Sequence, residues 1–244
     1  MASWEFLLAG THQHRVQRMK NSQTLVEKAY QQIKLMLLND ELVAGQKLRY
    51  QDIAKRLDMS QTPVNLALVR LENEGLVHWE ANKGYSVPEL DMEEARELYE
   101  LRILLEGFLV GKAAQNITDD DLSELRLLLD GHRSVRGEVY CRERLWCDAR
   151  IHMAIARYSG HKNGASYLHQ LFDRIYLRYR PERLSIERLT EAEQQHENLF
   201  KALAAHDAQQ AREIMSHHIE MGQHRMLRGI QSRVEERSRV QLWG

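Results

Sequence analysis

The sequence predicts a mostly α-helical protein: a small helical unit closed by a β-hairpin, then an antiparallel α-helical bundle. Three observations carry that expectation. Apolar residues return at three- and four-residue steps along most of the 244 residues, the period of a helix buried on one side. Only 3 prolines and 13 glycines interrupt the chain, so long helices are permitted almost everywhere. A strand-like pattern is read only around residues 76–87.

Composition narrows the class of protein. Hydrophobic residues make up 43% and charged residues 28%, a globular balance that excludes general disorder, and the length suits two domains. No window approaches the roughly 20 apolar residues of a membrane span. The most apolar stretch, Leu98 to Ala114, is broken by Glu100, Arg102, Glu106 and Lys112. The apolar patch from Trp4 to Leu8 has no basic region before it, which argues against a secretion signal. Two cysteines, Cys141 and Cys147, are too few for a disulfide framework and suit a reducing cytoplasm, the expected location. They stand six apart, on different faces of a helix, and read as ordinary residues. Net charge is −1, and the first 90 residues carry 11 basic and 10 acidic side chains against 23 and 25 in the rest. Charge therefore permits nucleic-acid binding without indicating it.

Residues 1–23 read as a polar extension, in which Arg15, Arg18 and Lys20 make a modest basic arm. Residues 24–88 read as the first domain. Leu25, Ala29, Ile33, Met36 and Leu37 form one helical stripe, with Thr24 and Glu27 placed as a capping box. Ile53, Ala54 and Leu57 mark a second, short helix, and Val64, Ala67, Leu68 and Leu71 a third. Asp58 stands between them where the chain must turn, and a short polar side chain tolerates the left-handed conformation. Ser60 can cap the third helix, and Pro63 falls in its first turn, where a missing amide proton costs little. Two helices across a tight turn, with small Ala54 inside the first, make a helix-turn-helix. Leu76 to Trp79 and Tyr85 to Val87 then read as strands around Ala81-Asn82-Lys83-Gly84, with Gly84 suited to positive φ. The whole is a winged helix-turn-helix.

In such a unit the second helix of the pair enters the major groove by its N-terminal end. Gln61, Thr62 and Asn65 lie there: the amides can pair bidentately with adenine, and threonine can touch a thymine methyl. Lys83 and Gly84 at the wing tip are placed to meet a phosphate. Arg49, Gln51 and Ser60 complete the candidate DNA-contacting set. The same polar residues would also suit the solvated face of any small helical domain.

The run Thr62 to Val87, TPV…AL..LE.EGLV……N.GY.V, resembles the DNA-binding domain of the gluconate-repressor (GntR) family of bacterial regulators. The match extends upstream through Leu25 to Leu57. The resemblance implies a homodimer on a palindromic operator. It also shows two departures: the family usually has arginine where this chain has Gln61 and Asn65, and proline-glycine where it has Ala44-Gly45. Without those arginines the best groups for reading guanine are missing, so adenine is expected at the contacted steps.

Residues 91–230 read as an all-helical second domain, with helices expected near 92–115, 119–134, 138–159, 163–180, 191–205 and 208–230. Asp91 with Glu94, Thr118 with Asp121, Thr190 with Glu193 and Asp207 with Gln210 supply start signals. Residues 231–244 read as a tail. Asp148 and His152 are four apart and share the side of Ile151 and Ile155. His196 shares a stripe with Leu199, Phe200 and Leu203, and His218 with Ala211, Ile214 and Met215, whereas His217 points away. Three imidazoles and a carboxylate on inward faces suit a divalent ion: zinc foremost, with nickel, manganese, copper or iron as alternatives. A histidine on an apolar face is also a common hydrogen-bonded core residue, and with 12 histidines in the chain spacing alone leaves both readings open. Tyr176, Arg178, Tyr179 and Arg180 cluster on one helix, where they either line a pocket or, the favoured reading, cover the bundle.

The strings Asp148 to Gly160 and Gln195 to Ile219 are similar to the ligand-sensing (FCD) domain of the FadR-type branch of the same family. In its metal-containing members the matching residues hold the ion, which implies that role for Asp148, His152, His196 and His218. The run Leu101 to Glu106 also fits, and implies that Arg102 contacts a carboxylate effector; an i,i+4 surface ion pair with Glu106 is the alternative. A small organic acid chelating the ion would tighten the bundle and change operator affinity. Two rivals stand beside that reading: a metal-dependent hydrolytic enzyme fused to a DNA-binding module, and a regulator with a purely structural ion.

Overall fold

In the computed structural model, which describes residues 24–135, 142–179 and 187–241, the chain begins with the helix that its capping signal predicts. Thr24 accepts the Glu27 amide at 3.2 Å and starts α1 (Leu25–Leu38), but the Glu27 side chain turns to Gln31 and Arg70, so only half of the capping box forms. β1 (Lys47–Leu48), α2 (Tyr50–Arg56), α3 (Gln61–Asn73), β2 (His78–Glu80) and β3 (Gly84–Ser86) follow. Asp58, between α2 and α3, has φ 51°, the left-handed value expected there. Ser60 occupies the N-cap position of α3 without a side-chain hydrogen bond. Gly84 has φ 81° at the wing turn. The hairpin pairs Trp79 with Tyr85, and its first strand starts two residues and ends one residue later than the sequence suggests. β1, which the sequence did not signal, is two residues long and pairs antiparallel with β3, giving the order β1-β3-β2. Two residues are too short for any period to register.

The chain divides into two units, one running to Glu89 with the segment Tyr176–Arg178, the other made of the remaining residues from Leu90. In the first, Ile33, Leu37, Val64, Ala67, Leu68, Leu71 and Leu76 are fully buried against one another. Each large aliphatic among them contributes about 1.5–3 kcal/mol by leaving water. Leu177 belongs to this core, and the buried Arg178 guanidinium donates to the carbonyls of Glu89 (2.9 Å) and Pro88 (3.2 Å). Tyr176, Arg178 and Tyr179 are all buried, the first two with this unit and not on the bundle, the third with the second unit, where it lies against Gly229. Their mixed polarity hid this, because long side chains bury stems as readily as they expose heads. Arg180, Cys141 and the basic arm lie outside the described residues.

The second unit is helical throughout its described residues: α4 (Met92–Asn116), α5 (Asp119–Ser134), α6 (Arg142–Tyr158), α7 (Lys162–Tyr176), α8 (Glu187–Ala204) and α9 (Ala208–Gln241). Asp91 and Asp207 accept amides at their helix starts, and Thr118 with Asp121 forms a complete capping box. α8 starts at Glu187, four residues before the expected start, so Thr190 lies inside it and opens nothing. α9 runs through Gln241 where a tail was expected from Gln231. Beyond Gly229 no glycine or proline stops it before Gly244, Ile230 is buried, and Gln231 donates to Glu235 one turn on. No described helix is long and apolar enough to cross a membrane.

Glycines line the antiparallel approach of α4 and α9. A Cβ on Gly111 would stand 2.2 Å from Arg212 Nε, and one on Gly222 would stand 3.2 Å from Tyr99 Cε1. α5 is tied to α8 by Glu197, which accepts from Arg126 at 2.8 and 3.1 Å and from Arg133 at 2.7 Å. Those guanidiniums hold its carboxyl down, to about 2. A depressed acid stabilises the fold above its unfolded value and loses that contribution as pH falls through the folded one. Glu197→Gln is expected to cost about 1 kcal/mol near neutral pH, a value reduced because both arginines are partly in water. The difference between the two proteins in urea unfolding should narrow steadily between pH 4.5 and 2.

Candidate functional site

The four residues singled out as metal ligands come from three helices and meet. α6 contributes Asp148 and His152, α8 contributes His196, and α9 contributes His218; all four are buried, with one donor atom from each inside a 4.8 Å cluster. Asp148 Oδ1 lies 3.2 Å from His196 Nε2 and 3.5 Å from His218 Nε2, and its Oδ2 lies 3.6 Å from His152 Nε2. Such separations are those of neighbouring ligands around a small ion with bonds of about 2.1 Å. His217 is exposed, as its angular position requires.

Surrounding groups orient these imidazoles. Glu106, on α4, takes the Nδ1 proton of His152, since a carboxylate can only accept. The Gln195 amide oxygen accepts from His218 Nδ1 at 2.9 Å. Both contacts turn a bare Nε2 toward Asp148, the arrangement found in metal centres whose histidines are held by a second layer of acceptors. His152 Nε2 and both ring nitrogens of His196 have no hydrogen-bond partner, although all are buried. Buried polar atoms are rarely left so, and a cation beside Asp148 would take one nitrogen from each of these two rings. The residues present fit a divalent ion.

Electrostatics agrees. Burial works to raise the Asp148 carboxyl, but the three histidines override it and hold it well below its ordinary value. Burial pushes His218 down to about 3, so its ring is neutral and available as a ligand. Glu106 is likewise lowered: Arg102 and His152 outweigh its burial. His132 sits edge-on to His196 with ring centroids 5.0 Å apart, and burial pushes it to about 4. Sequence reasoning missed His132, although it continues the buried stripe of Leu125 and Leu129 on α5. It also missed Gln195, which no local pattern marks.

Arg102 is buried in the same wall. Its Nε donates to Glu106 Oε1 at 2.7 Å, and its guanidinium lies over the rings of Tyr99 (4.9 Å) and Phe172 (4.5 Å). The ion pair with Glu106 is real, but it is an interior pair and not a surface one. Glu106 thereby joins a chain from Arg102 through a carboxylate to His152 and the cage. Cys147, beside Asp148, is half-buried.

In the first unit the side chains of Arg49, Gln51, Ser60, Gln61, Thr62, Asn65 and Lys83 are all exposed, and Gly84 is half-exposed. Gln61, Thr62 and Asn65 share the N-terminal end of α3, while Pro63 and Val64 between them turn inward. Leu66, next to Asn65, is 50% exposed, an apolar outward residue suited to a thymine methyl. Lys83 at the wing tip pairs with Glu80 at 2.6 Å, and both remain in water.

Residues 25–87 match the model for bacterial regulatory proteins of the gntR family, and residues 97–221 match that for the FCD domain. The chain is similar to the Nta operon transcriptional regulator of Aminobacter aminovorans, with 33% identity over 132 residues, 54% of this chain and 62% of that one. It is also similar to the HTH-type transcriptional regulator McbR of Escherichia coli (strain K12), with 26% identity over 181 residues, 72% and 80% of the two chains. The chain spans about two thirds or slightly less, 62% and 66%, of the first two curated relatives it matches. The solved structure of E. coli McbR/YncC superposes with a TM-score of 0.72 at 25% identity, covering 82% of this chain and 96% of that one. A regulator from Rhodococcus sp. RHA1 shares the fold, with a TM-score of 0.68 at 20% identity, covering 83% and 97%.

Proposed function

The chain belongs to the GntR family of bacterial transcriptional regulators, with a DNA-binding helix-turn-helix and an FCD ligand-sensing domain, and from that premise we propose that it is a metal-assisted sensor of a small organic acid. The observation that carries this reading is the buried cage of Asp148, His152, His196 and His218, in which His152 Nε2 and both ring nitrogens of His196 lack hydrogen-bond partners. Those four side chains would hold the ion, and the ion would supply a Lewis-acidic point to which a carboxylate can bind. Glu106 and Gln195 keep His152 and His218 in the tautomer that coordinates. The domains and relatives are those of regulators, which sets the metalloenzyme reading aside.

The regulator acts as a homodimer on a palindromic operator in this reading, each copy presenting Gln61, Thr62 and Asn65 to one half-site. Leu101, Leu104 and Phe108 support a second copy. They project from one side of α4 at 49%, 73% and 43% exposure, an apolar stripe that a soluble monomer gains nothing by showing. Acid binding in the cage then biases the arrangement of the DNA-reading units, coupling two separate sites.

The test uses an operator fragment selected from random DNA and labelled for fluorescence anisotropy. Zinc-loaded protein is expected to change its operator affinity by about 5–150-fold with at least one small organic acid, the usual range of coupling. Chelated protein should show no such response. Operator binding indifferent to every acid, in metal-loaded protein, would retire the sensing reading in favour of an ion that only braces the bundle.

A further inference from the structure

Arg225, on α9, is 8% exposed, and among the described residues it makes no hydrogen bond, ion pair or ring contact. The other buried cations of the helical unit are compensated: Arg102 by Glu106, and Arg144 by Glu193 at 2.9 Å and the Val135 carbonyl. A buried guanidinium without a counter-charge is costly to a fold, and buried charges are normally paired. Packing alone would be served by an aliphatic residue.

The surroundings of Arg225 connect it to the cage. A Cβ at Gly222 would lie 3.2 Å from Tyr99 Cε1 and 3.8 Å from Arg225 Nη2, so the guanidinium and Tyr99 flank the same glycine where α9 runs close to α4. Tyr99 is buried within electrostatic reach of Arg102, Asp148, Arg225 and Glu106 together. The geometric link runs from Tyr99 to Arg102, whose guanidinium lies over its ring, and on through Glu106 to the cage histidine His152. A divalent ion held by neutral imidazoles adds two positive charges beside these guanidiniums, which favours a dianion over a monoanion. Arg102 is already neutralised by Glu106, whereas Arg225 has no carboxylate partner among the described residues.

We infer that the effector is a small organic dicarboxylate, with one carboxylate on the cage metal and the second on the Arg225 guanidinium. This rests on the organic-acid reading above and assigns its ligand class and its second anchor. A guanidinium receives a carboxylate through two parallel N–H donors, a planar match that lysine cannot reproduce. The same residue explains its own cost: a side chain without a partner among the described residues is available to bind, a trade of stability for function.

The experiment titrates the zinc-loaded full chain calorimetrically with malonate, succinate and malate, and with acetate, propionate and lactate as monocarboxylate counterparts. Wild type, Arg225→Met and Arg225→Lys are compared, with zinc content and ligand-free thermal midpoint measured for each. At least one dicarboxylate is expected to bind wild type at least tenfold tighter than its counterpart. Arg225→Met, which keeps the packing volume, should weaken that acid by about 30-fold or more while retaining zinc, and Arg225→Lys should fall between. Ligand-free Arg225→Met should melt at or above the wild-type temperature, because no native pair is broken. Unchanged dicarboxylate affinity in Arg225→Met would overturn the assignment of Arg225 and leave acid sensing standing. A ligand-free Arg225→Met that melts far lower, or does not fold, would make Arg225 a structural residue and overturn the assignment equally. Failure of every acid to bind zinc-loaded wild type would overturn both readings.

Discussion

Glu106→Ala is expected to destabilise the helical unit by about 3–5 kcal/mol, the usual cost of deleting one member of a buried ion pair. Glu106 is 2% exposed and neutralises Arg102, which is equally buried, so its loss strands a positive charge that water cannot reach. The same substitution releases His152 Nδ1 and should lower metal affinity by about 10–100-fold, as removal of an orienting partner generally does. Glu106→Gln separates the two effects. It keeps an acceptor for His152 and removes only the charge, so the stability loss should persist while metal affinity falls less. Denaturant unfolding of chelated protein measures the first quantity and competitive zinc titration the second. A Glu106→Ala protein as stable as wild type would show that the Arg102–Glu106–His152 chain has no structural weight.

Gln61→Ala with Asn65→Ala should reduce affinity for the selected operator by about 100-fold or more, since each bidentate amide–base pair contributes about 1–3 kcal/mol of discrimination. Non-specific binding and its salt dependence should hardly change, because neither residue is charged. Both side chains are exposed at the start of α3, so the substitutions leave the core untouched. The selected operator should favour adenine at the contacted steps. Recovery of a guanine-centred palindrome, or a double variant with full operator affinity, would mean that other residues read the sequence.

The sequence made the strongly periodic elements legible and left the short or polar-lined ones obscure. α1, α3, α4 and α5 begin at the expected capping residues, and Asp58 adopts the turn conformation its position demands. The cage residues stood out because each lies on an apolar stripe, but such a stripe suits a core histidine equally, and their ligand role came from the family resemblance. What surrounds them was harder to see. Gln195 precedes His196 and bonds to a histidine on another helix, a pairing that no one-dimensional spacing encodes. Glu106 showed its i,i+4 relation to Arg102 but not its burial, because the same spacing serves exposed pairs. The run of α9 past Gln231 was hidden by charge: Arg, Glu and Gln support a solvated helix as readily as a loose tail.

The central claim is that the buried imidazole cage holds a divalent ion in the protein itself. X-ray absorption at the metal edge, on protein purified without added metal, tests it most directly. A first shell of nitrogen and oxygen at about 2.0–2.2 Å with imidazole scattering is expected, lost when His152 and His218 are both replaced. A metal-free protein that stays so after zinc is supplied, or a metal bound equally well without those two histidines, would contradict it.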